Sequence, residues 1–216
     1  MIKNVLFDLD GTLTDPAEGI TKSVAYALNE FGIYVADLSV LNVFIGPPLT
    51  DSFKFYFDFN DEQAAKALKT YREYFAEEGI FQNEVYDGIP ELLATLKEKG
   101  IKVCLATSKP EQYAIRILEH FDLMKYFDFV AGNTMDETRS RKDILIEHIF
   151  ENNPDFNPSQ TVMVGDRKYD IEGARAHSMP SVGVTYGYAE QGELESAGAD
   201  KIANSVNELK EILLGM

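Results

Sequence analysis

The stretch that decides the fold is Phe7-Asp8-Leu9-Asp10-Gly11-Thr12, whose first residue ends the apolar run Val5-Leu6-Phe7. A short apolar run that ends at a turn signal predicts a buried strand. Side chains of a strand alternate between its faces, so Asp8 and Asp10 are predicted to converge just past the strand end. Two carboxylates held close together repel each other unless they share a proton or bind a cation. The stretch therefore predicts a shared proton or a metal site, and an ordinary polar turn is the structural alternative.

The composition is that of a globular protein with a strong negative charge. The chain has 216 residues, enough for one domain or for one domain with an insertion. Its 36 acidic and 20 basic residues give a formal charge of −16. Nucleic acids and anionic membranes require clustered positive charge, so neither is an expected partner, whereas small anions fit a locally basic pocket.

The expected compartment is the cytoplasm. No stretch approaches the ~20 apolar residues of a membrane-spanning helix, and the chain enters a strand pattern at once, without a cleavable signal pattern. Cys104 is the only cysteine, so no internal disulfide forms. Its apolar neighbours indicate a core residue rather than a nucleophile.

Short apolar runs alternate with amphipathic segments along most of the chain. The predicted strands are 4–9, 103–106, 129–130, 162–164, 182–184 and 201–203. The predicted helices between and after them are 90–99, 111–121, 142–150, 171–177 and 206–214. Strands that alternate with helices indicate an α/β fold, here a Rossmann-like parallel sheet with helices on both faces.

Residues 15–84 break this alternation because they show no buried strand pattern. They show amphipathic helix patterns instead, at 21–31 and 62–76. We expect an all-helical cap at 15–84, inserted into a catalytic core formed by 1–14 and 85–216. Ligands of parallel sheets bind beyond the carboxyl ends of the strands, so this insertion is predicted to lie over the ligand and to act as a lid.

The later strands are also followed by chemically reactive side chains. The second predicted strand runs into Thr107-Ser108-Lys109, which offers hydroxyl donors and a cation. The segment after the third contains Arg139, Arg141 and Lys142, and the fourth ends in GDRKYD, with Asp166 at its end and Asp170 four residues on. Reactive residues at four strand ends in this order indicate one composite site.

Together these motifs resemble the haloacid dehalogenase superfamily phosphatases that carry a helical cap inserted after the first strand. The matching pieces are DLDGT at 8–12, the apolar run ending in Thr107, the Lys142 region and GDRKYD at 165–170, which span nearly the whole chain. Within the superfamily the chain is most similar to the phosphoglycolate phosphatase and bacterial 5′-nucleotidase-like branch. FIGPPL at 44–49 and GDRKYDI at 165–171 favour the nucleotidase-like side.

The resemblance implies a hydrolase that works through an aspartyl phosphate. Asp8 is the implied nucleophile, and Asp10 is the implied acid for the leaving oxygen and base for the attacking water. The implied Mg²⁺ ligands are Asp8, the backbone carbonyl of Asp10, Asp166 and Asp170, the last directly or through water. The residues implied to hold the phosphoryl oxygens are Thr107 and Lys142, at strand ends that also carry Ser108 and Lys109.

One departure from the family pattern concerns Lys142. In many relatives a proline follows this lysine, whereas here Asp143 follows it. Arg141 is therefore the alternative cation at this place, and a solvated helix start is the structural alternative for both.

The inserted segment offers candidate residues for reading the rest of the substrate. They are Lys22 on the first cap helix, and Gly46 and Pro47 in the stiff Ile45-Gly46-Pro47-Pro48 loop. The aromatic stretch 53–59 is expected to fill the core of the cap rather than to stack on a nucleobase. Tyr186-Gly187-Tyr188, just past the fifth predicted strand, is a further candidate for lining the entrance.

The main functional hypothesis is a Mg²⁺-dependent phosphomonoesterase for a small phosphorylated metabolite, either a nucleoside monophosphate or phosphoglycolate. A phosphosugar mutase of the same superfamily is the rival enzyme, because it shares the catalytic core and differs only in the acceptor of the phosphoryl group. A non-enzymatic module that binds a phosphate ligand is the rival from another class. The sequence leaves open whether the protein is a monomer or a homodimer.

Overall fold

The computed structural model describes residues 1–216 and divides them into two compact units. Met1–Asp15 and Val85–Met216 form the first, called the core unit below, and Pro16–Glu84 form the second, called the inserted unit. That the inserted unit serves as a cap remains a prediction.

The core unit is built on a six-stranded parallel sheet. In chain order the strands of the protein are β1 (Asn4–Phe7), β2 (Thr14–Asp15), β3 (Glu84–Val85), β4 (Lys102–Pro110), β5 (Phe129–Asn133), β6 (Thr161–Gly165), β7 (Ser181–Val184) and β8 (Lys201–Ala203). The large sheet has the order β5-β4-β1-β6-β7-β8 with parallel pairs throughout, and β2 and β3 form a separate two-stranded sheet. The predicted α/β fold is confirmed.

Nine α-helices accompany these strands. The inserted unit contains α1 (Ala17–Asn29), α2 (Leu49–Phe57) and α3 (Asp61–Glu77), and the core unit contains α4 (Ile89–Glu98), α5 (Glu111–His120), α6 (Lys142–Asn152), α7 (Lys168–Ala176), α8 (Glu193–Ala197) and α9 (Val206–Gly215). Short 3₁₀ helices occupy Leu38–Phe44, Gly79–Phe81, Met124–Tyr126 and Pro158–Gln160. None of the helices has both the length and the apolar character needed to cross a membrane.

The position of β1 in the sheet determines where the first acidic motif lies. Val5, Leu6 and Phe7 are fully buried, as expected for a central strand of a parallel sheet. Phe7 pairs with Leu105 of β4 on one side and with Val164 of β6 on the other. The residue after Phe7 therefore emerges between the carboxyl ends of the two neighbouring strands.

Apolar side chains cover both faces of the sheet. On one face Leu6, Cys104 and Met163 pack against α6 and α7, with Leu145 and Ala174 among their neighbours. Because side chains alternate along a strand, the residues that precede and follow these three point to the opposite face of the sheet. Burial raises the pKa of the Cys104 thiol to about 12, as expected for a core residue.

Local signals explain where the helices begin. Asn60 accepts a hydrogen bond from the Gln63 backbone N–H at 2.9 Å, and the Gln63 side chain accepts one from the Asn60 N–H at 3.0 Å, so a capping box starts α3. Ser205 caps α9 by accepting from the Glu208 N–H at 3.2 Å. Gly88, with φ of +88°, precedes α4 in a backbone conformation that favours glycine.

The aromatic stretch of the inserted unit is only partly buried. Phe53 and Phe59 lie in its core with their rings stacked 6.0 Å apart, which confirms the predicted core role for these two residues. Phe55 is 79% exposed, so the same prediction is wrong there. The stretch lies largely on α2, and successive residues of a helix point in different directions, so some face the core of the inserted unit and others face solvent. This helix is absent from the helices predicted from the sequence.

Two elements of the core unit extend beyond their predicted bounds at functionally relevant residues. β4 continues to Pro110, and its pairing with β5 shifts register between Thr107 and Pro110. α7 begins at Lys168 rather than at 171 because the Asp170 side chain accepts the Arg167 backbone N–H at 3.1 Å, which starts the helix earlier. Both segments carry polar side chains, so the apolar pattern ends before the element does.

The central place of β1 predicts that Leu6→Ala strongly destabilises the protein. Leu6 is fully buried in a cluster that spans the sheet and two helices, and truncation of such a leucine leaves a cavity that typically costs about 2–5 kcal/mol. Urea unfolding followed by circular dichroism measures the change. Leu214→Ala is the matched control, since Leu214 on α9 is 40% exposed, and its effect is expected to stay within about 0.5 kcal/mol. Equal losses in the two variants would contradict the prediction.

Candidate active site

The carboxyl ends of three adjacent strands deliver the predicted site residues to one edge of the sheet. Asp8 directly follows β1, and Asp166 directly follows β6. Thr107 lies near the carboxyl end of β4, just before the register shift. The Asp8 backbone N–H donates to the Val164 carbonyl at 2.9 Å, which continues the strand pairing up to the acidic residue. Parallel strands present their carboxyl ends at the same edge, so the topology brings these side chains together.

Three carboxylates form a buried acidic cluster at this edge. Each of Asp8, Asp166 and Asp170 offers a carboxylate oxygen, and these oxygens lie within 4.8 Å of one another. Asp166 and Asp170 are fully buried, and Asp8 is 7% exposed. Like charges so close together in a buried place repel strongly, so the cluster requires a compensating cation or protons.

The pKa values of Asp166 and Asp170 reflect their burial and the repulsion within the cluster. Burial raises the pKa of Asp166 well above its ordinary value, and the charges of Asp8 and Asp170 raise it further. Burial likewise raises the pKa of Asp170, against the opposing effect of the Lys142 charge. Asp166 and Asp170 thus hold protons more tightly than exposed aspartates do.

Lys142 supplies positive charge inside the cluster. Its Nζ lies 3.0 Å from Asp8 Oδ1 and 2.7 Å from Asp170 Oδ1, and it donates to the Ala106 carbonyl at 2.8 Å. Burial alone lowers the pKa of this ammonium, but the charges of Asp170 and Asp8 outweigh it and raise the pKa above the ordinary value. Lys142 is therefore a permanently charged group at the first residue of α6.

Glycines create the space that the buried charges occupy. A Cβ added at Gly165 would lie 2.1 Å from Asp170 Cγ, and one added at Gly173 would lie 2.9 Å from the Cβ and Cγ of Lys142. At Gly11 the added atom would lie 2.1 Å from Asp166 Oδ2. Side chains at these positions would displace the charged groups, so the close approach requires glycine.

The oxygens that remain without aligned partners fit a small divalent cation. Asp166 Oδ2 accepts the Tyr188 backbone N–H at 2.8 Å, and Asp170 Oδ2 accepts the Arg167 N–H. Asp8 Oδ1 and Asp170 Oδ1 are buried and accept no aligned hydrogen bond, although both lie at ion-pair distance from Lys142. Buried carboxylate oxygens in this number suit the hard, oxygen-preferring Mg²⁺ ion.

Asp10 lies apart from the acidic cluster and pairs with a different lysine. Its Oδ2 is 2.8 Å from Lys109 Nζ, and both side chains are largely buried. Burial raises the pKa of Asp10, against the lowering effect of Lys109, while the charge of Asp8 adds to the rise. From the sequence, Lys109 is predicted to bind the phosphate. In the structure its ammonium contacts Asp10, the predicted acid.

The two hydroxyls near the carboxyl end of β4 contact the backbone. Thr107 Oγ1 accepts the Lys109 backbone N–H at 3.2 Å, and Ser108 Oγ donates to the Ser140 carbonyl at 2.9 Å. The second contact ties the end of β4 to the segment that precedes Lys142. That these two residues bind a phosphoryl group remains a prediction.

The three cations before and at α6 have different surroundings. Arg139 donates through Nη2 to Glu111 Oε2 at 2.9 Å and through Nε to the Gly132 carbonyl at 2.9 Å, so it braces the loop. The side chain of Arg141 is 73% exposed and pairs with Asp143. Lys142 alone of these three contacts the acidic cluster, which separates it from the alternative that the sequence left open.

The candidate substrate-reading residues of the inserted unit are described within that unit. Lys22 donates to Glu18 Oε1 at 2.5 Å on α1. Gly46 has a φ of +104°, and Pro47 follows it in the loop before α2. Their role in binding a substrate remains a prediction.

The loop after β7 supports the cluster. The sequence indicates Tyr186, Gly187 and Tyr188 only as candidates for lining the entrance. In the structure the Tyr188 N–H binds Asp166, and a Cβ at Gly187 would lie 2.5 Å from Asp166 Cβ. The glycine between two tyrosines directly after a buried strand was the signal, since such a glycine marks a close backbone approach.

The cluster predicts opposite effects of Asp166→Asn with and without Mg²⁺. Without metal the variant is expected to unfold at a higher temperature than the parent at pH 7.5, because it removes a buried charge. As pH falls, Asp166 of the folded parent takes up a proton and its buried charge disappears. The higher unfolding temperature of the variant relative to the parent should therefore shrink toward pH 5. With free Mg²⁺ at a hundred times its Kd, the free energy of unfolding of the parent is expected to rise by about 2.7 kcal/mol. That of the variant should rise little.

Differential scanning calorimetry with chelator or Mg²⁺ measures both effects, and Asp143→Asn outside the cluster serves as the control. Protons compete with the cation for the same oxygens, so the Mg²⁺ effect should weaken as pH falls. A Mg²⁺ stabilisation that survives in Asp166→Asn would show that the cation binds elsewhere.

Comparison with known proteins places the chain in a family. The family model described as haloacid dehalogenase-like hydrolase matches residues 5–184. A 5′-nucleotidase of Pseudomonas aeruginosa is 40% identical over 97% of this chain and 95% of its own length. The tyrosine-protein kinase PtkA of Mycobacterium tuberculosis is 37% identical over 97% of this chain and 72% of its own, and a phosphoglycolate phosphatase of Escherichia coli is 30% identical over 96% and 91%.

A solved structure agrees with these relatives. A predicted phosphatase from Clostridium acetobutylicum superimposes with a TM-score of 0.96 at 49% identity, covering all of both chains. The matched region of the family model contains every residue of the acidic cluster and Lys142. The chain therefore belongs to the haloacid dehalogenase-like hydrolases, and the prediction of a phosphatase of that family is confirmed.

Proposed function

We propose that the protein is a Mg²⁺-dependent phosphomonoesterase that hydrolyses a small phosphorylated metabolite through an aspartyl phosphate on Asp8. One observation carries the proposal: the Asp8 carboxylate contacts the Lys142 ammonium and clusters with the carboxylates of Asp166 and Asp170, with a second acid only two residues further on. A nucleophile, a source of positive charge and a proton donor are thus present at one strand end.

In the first step a carboxylate oxygen of Asp8 attacks the phosphorus of the ester. The new bond joins Asp8 to phosphorus, the bond from phosphorus to the ester oxygen breaks, and the leaving oxygen takes a proton from Asp10. In the second step a water molecule attacks the phosphorus and gives its proton to Asp10. The bond to Asp8 then breaks, which releases inorganic phosphate and restores both carboxyl groups.

The surroundings of Asp10 support its role as the acid and base. A general acid must hold its proton near neutral pH, and burial shifts the pKa of Asp10 in that direction. The neighbouring Lys109 ammonium opposes this shift and keeps the carboxylate accessible as a base. The same group can therefore release a proton in one step and recover it in the next.

Lys142 supports the reaction through its charge. In the transition state negative charge is spread over the three equatorial phosphoryl oxygens, and a preorganised cation stabilises that charge. Thr107 and Ser108 lie at the neighbouring strand end and would add hydroxyl contacts. When bound by Asp8, Asp166 and Asp170, Mg²⁺ would supply further charge neutralisation at the phosphoryl group.

A nucleoside monophosphate is the leading substrate class and phosphoglycolate the second. The relative named 5′-nucleotidase is 40% identical to this chain and the one named phosphoglycolate phosphatase 30%. Both names describe hydrolysis of small phosphate esters, which is consistent with a substrate small enough to reach a buried carboxylate.

Transfer of the phosphoryl group to an acceptor other than water is the second candidate function. The observation that favours it is the 37% identity to a protein named tyrosine-protein kinase. A mutase and a kinase both retain the first step and differ in what attacks the aspartyl phosphate. A non-enzymatic phosphate-binding module would need neither Asp8 nor Asp10 as a reactive group.

Asp8→Asn is expected to abolish phosphate release from every ester tested, by at least about a thousandfold, because an amide oxygen is a poor nucleophile. The measurement is a malachite-green assay over nucleoside monophosphates, sugar phosphates and phosphoglycolate, with Mg²⁺ or with chelator. Chelator is also expected to stop turnover of the parent protein.

A second readout identifies the intermediate and the acceptor. Rapid quenching of the parent enzyme with ³²P-labelled substrate should place label on a peptide that contains residue 8 and on none in Asp8→Asn. Label on another residue would refute the assigned nucleophile. Conversion of a sugar phosphate to its isomer, or labelling of a tyrosine peptide, without free phosphate would favour transfer over hydrolysis.

Lys142→Gln is expected to lower kcat by about 10²–10³, with a smaller change in KM. Arg141→Gln is the matched control, because this neighbouring cation is exposed and paired with Asp143, and it should retain parent activity. Steady-state kinetics on the best substrate of the panel measures both. A large loss in Arg141→Gln together with an active Lys142→Gln would reverse the assignment.

A further inference from the structure

The loop that follows β7, residues 185–188, lies directly against the segment that follows β1. The Tyr186 hydroxyl donates to the Thr12 carbonyl at 3.1 Å. A Cβ added at Gly187 would lie 2.3 Å from the Gly11 carbonyl oxygen and 2.5 Å from Asp166 Cβ. The backbones of the two segments are therefore in close contact, and only glycine permits it.

Tyr188 joins two acidic groups through its two ends. Its backbone N–H donates to Asp166 Oδ2 at 2.8 Å, and its hydroxyl donates to Asp15 Oδ1. One residue thus connects the acidic cluster to the far end of the segment that contains Asp10.

That segment is a compact turn in which each part constrains the next. The Gly11 N–H donates to the Thr14 carbonyl at 2.7 Å, and the Thr14 N–H donates to the Leu9 carbonyl at 3.1 Å. Asp10 and Thr14 also form an isolated bridge. A shift of Asp15 would therefore move the backbone that carries the Asp10 carboxyl.

The charges around the turn explain why Asp15 needs a donor. Tyr86, whose ring lies 5.0 Å from that of Tyr186, has its pKa raised by burial and then by the charges of Asp15, Asp166 and Asp10. These three carboxylates therefore share one region of the core unit. A neutral hydroxyl on Asp15 holds this carboxylate in place without drawing a cation away from the cluster.

We propose that Tyr188 is a positioning residue for Asp10: its hydroxyl holds Asp15 and with it the turn that aims the Asp10 carboxyl at the leaving oxygen. The inference rests on the proposed function, in which Asp10 protonates that oxygen. Tyr188 itself touches no reacting atom. Its loss should therefore impair proton donation and leave metal binding intact, because the N–H on Asp166 belongs to the backbone.

Proton donation can be isolated by changing the leaving group. An alkyl phosphate such as glycerol 2-phosphate leaves as a basic alkoxide and needs the acid, whereas p-nitrophenyl phosphate leaves as a stable phenolate and needs it little. Because Asp10 also serves as the base when water attacks the aspartyl phosphate, a step that both esters share, the quantity compared is the rate constant for phosphorylation of Asp8, measured by rapid quench. In Tyr188→Phe we expect this rate constant to fall by about tenfold or more on the alkyl ester and by less than about twofold on the p-nitrophenyl ester.

Three variants complete the design. Tyr126→Phe, in the 3₁₀ helix Met124–Tyr126, is the matched control and should match the parent on both esters. In an Asp15→Ala background the further change Tyr188→Phe should have no added effect, because Tyr188 acts through Asp15. Mg²⁺ affinity of Tyr188→Phe, measured by isothermal titration calorimetry, should stay within about twofold of the parent.

Asp10→Asn separates failure of this inference from failure of the proposed function. If Asp10→Asn slows the phosphorylation of Asp8 equally with both esters, Asp10 is not the acid and the proposed mechanism falls. If Asp10→Asn is selective for the alkyl ester but Tyr188→Phe slows both equally or neither, the positioning role of Tyr188 is refuted on its own. A tenfold loss of Mg²⁺ affinity in Tyr188→Phe would likewise refute it, since the residue would then act through the acidic cluster.

Discussion

The burial of three carboxylates at one point is the constraint on which the rest of the structure depends. Carboxylate oxygens of Asp8, Asp166 and Asp170 lie within 4.8 Å of one another, and all three residues are buried. The Lys142 ammonium offsets part of their repulsion but contacts only Asp8 and Asp170. The remaining negative charge makes the site a strong attractor for a divalent cation and for protons. We therefore expect the cluster to lower the stability of the metal-free protein, as is common where a functional site retains unfavourable charge.

The fold solves a geometric problem that this constraint creates. β1 lies between β4 and β6, so the first acidic residue is surrounded by the ends of both neighbours. Glycines at 165 and 173 remove the side chains that would otherwise occupy the space of Asp170 and Lys142. A rigid sheet edge with space cleared for charged groups holds them in fixed positions before a substrate arrives, which is what electrostatic stabilisation of a transition state requires.

The same core is compatible with more than one fate of the phosphoryl group. Relatives named as nucleotidase, phosphoglycolate phosphatase and tyrosine kinase align with nearly the whole of this chain. Chemistry common to such enzymes belongs to the sheet edge, whereas the acceptor depends on which group can approach the phosphorus. In the proposed mechanism Asp10 activates the water, so the position of the turn that carries Asp10 bears on this choice. The contacts of Tyr188 with Asp15 and Asp166 bear on that placement.

The sequence by itself determined the alternation of strands and helices, the family, and the carboxylates that follow the strands, because apolar periodicity and short motifs are local properties. Only the tertiary structure decided which cation joins the cluster. Arg139, Arg141 and Lys142 are cations within four consecutive residues of the chain. Arg139 braces a loop, Arg141 is exposed, and Lys142 is buried against Asp8 and Asp170. It also decided that Lys109 contacts Asp10 and that the Tyr188 backbone binds Asp166. These contacts join residues far apart in the chain, so their energies depend on register and burial, which no local pattern encodes.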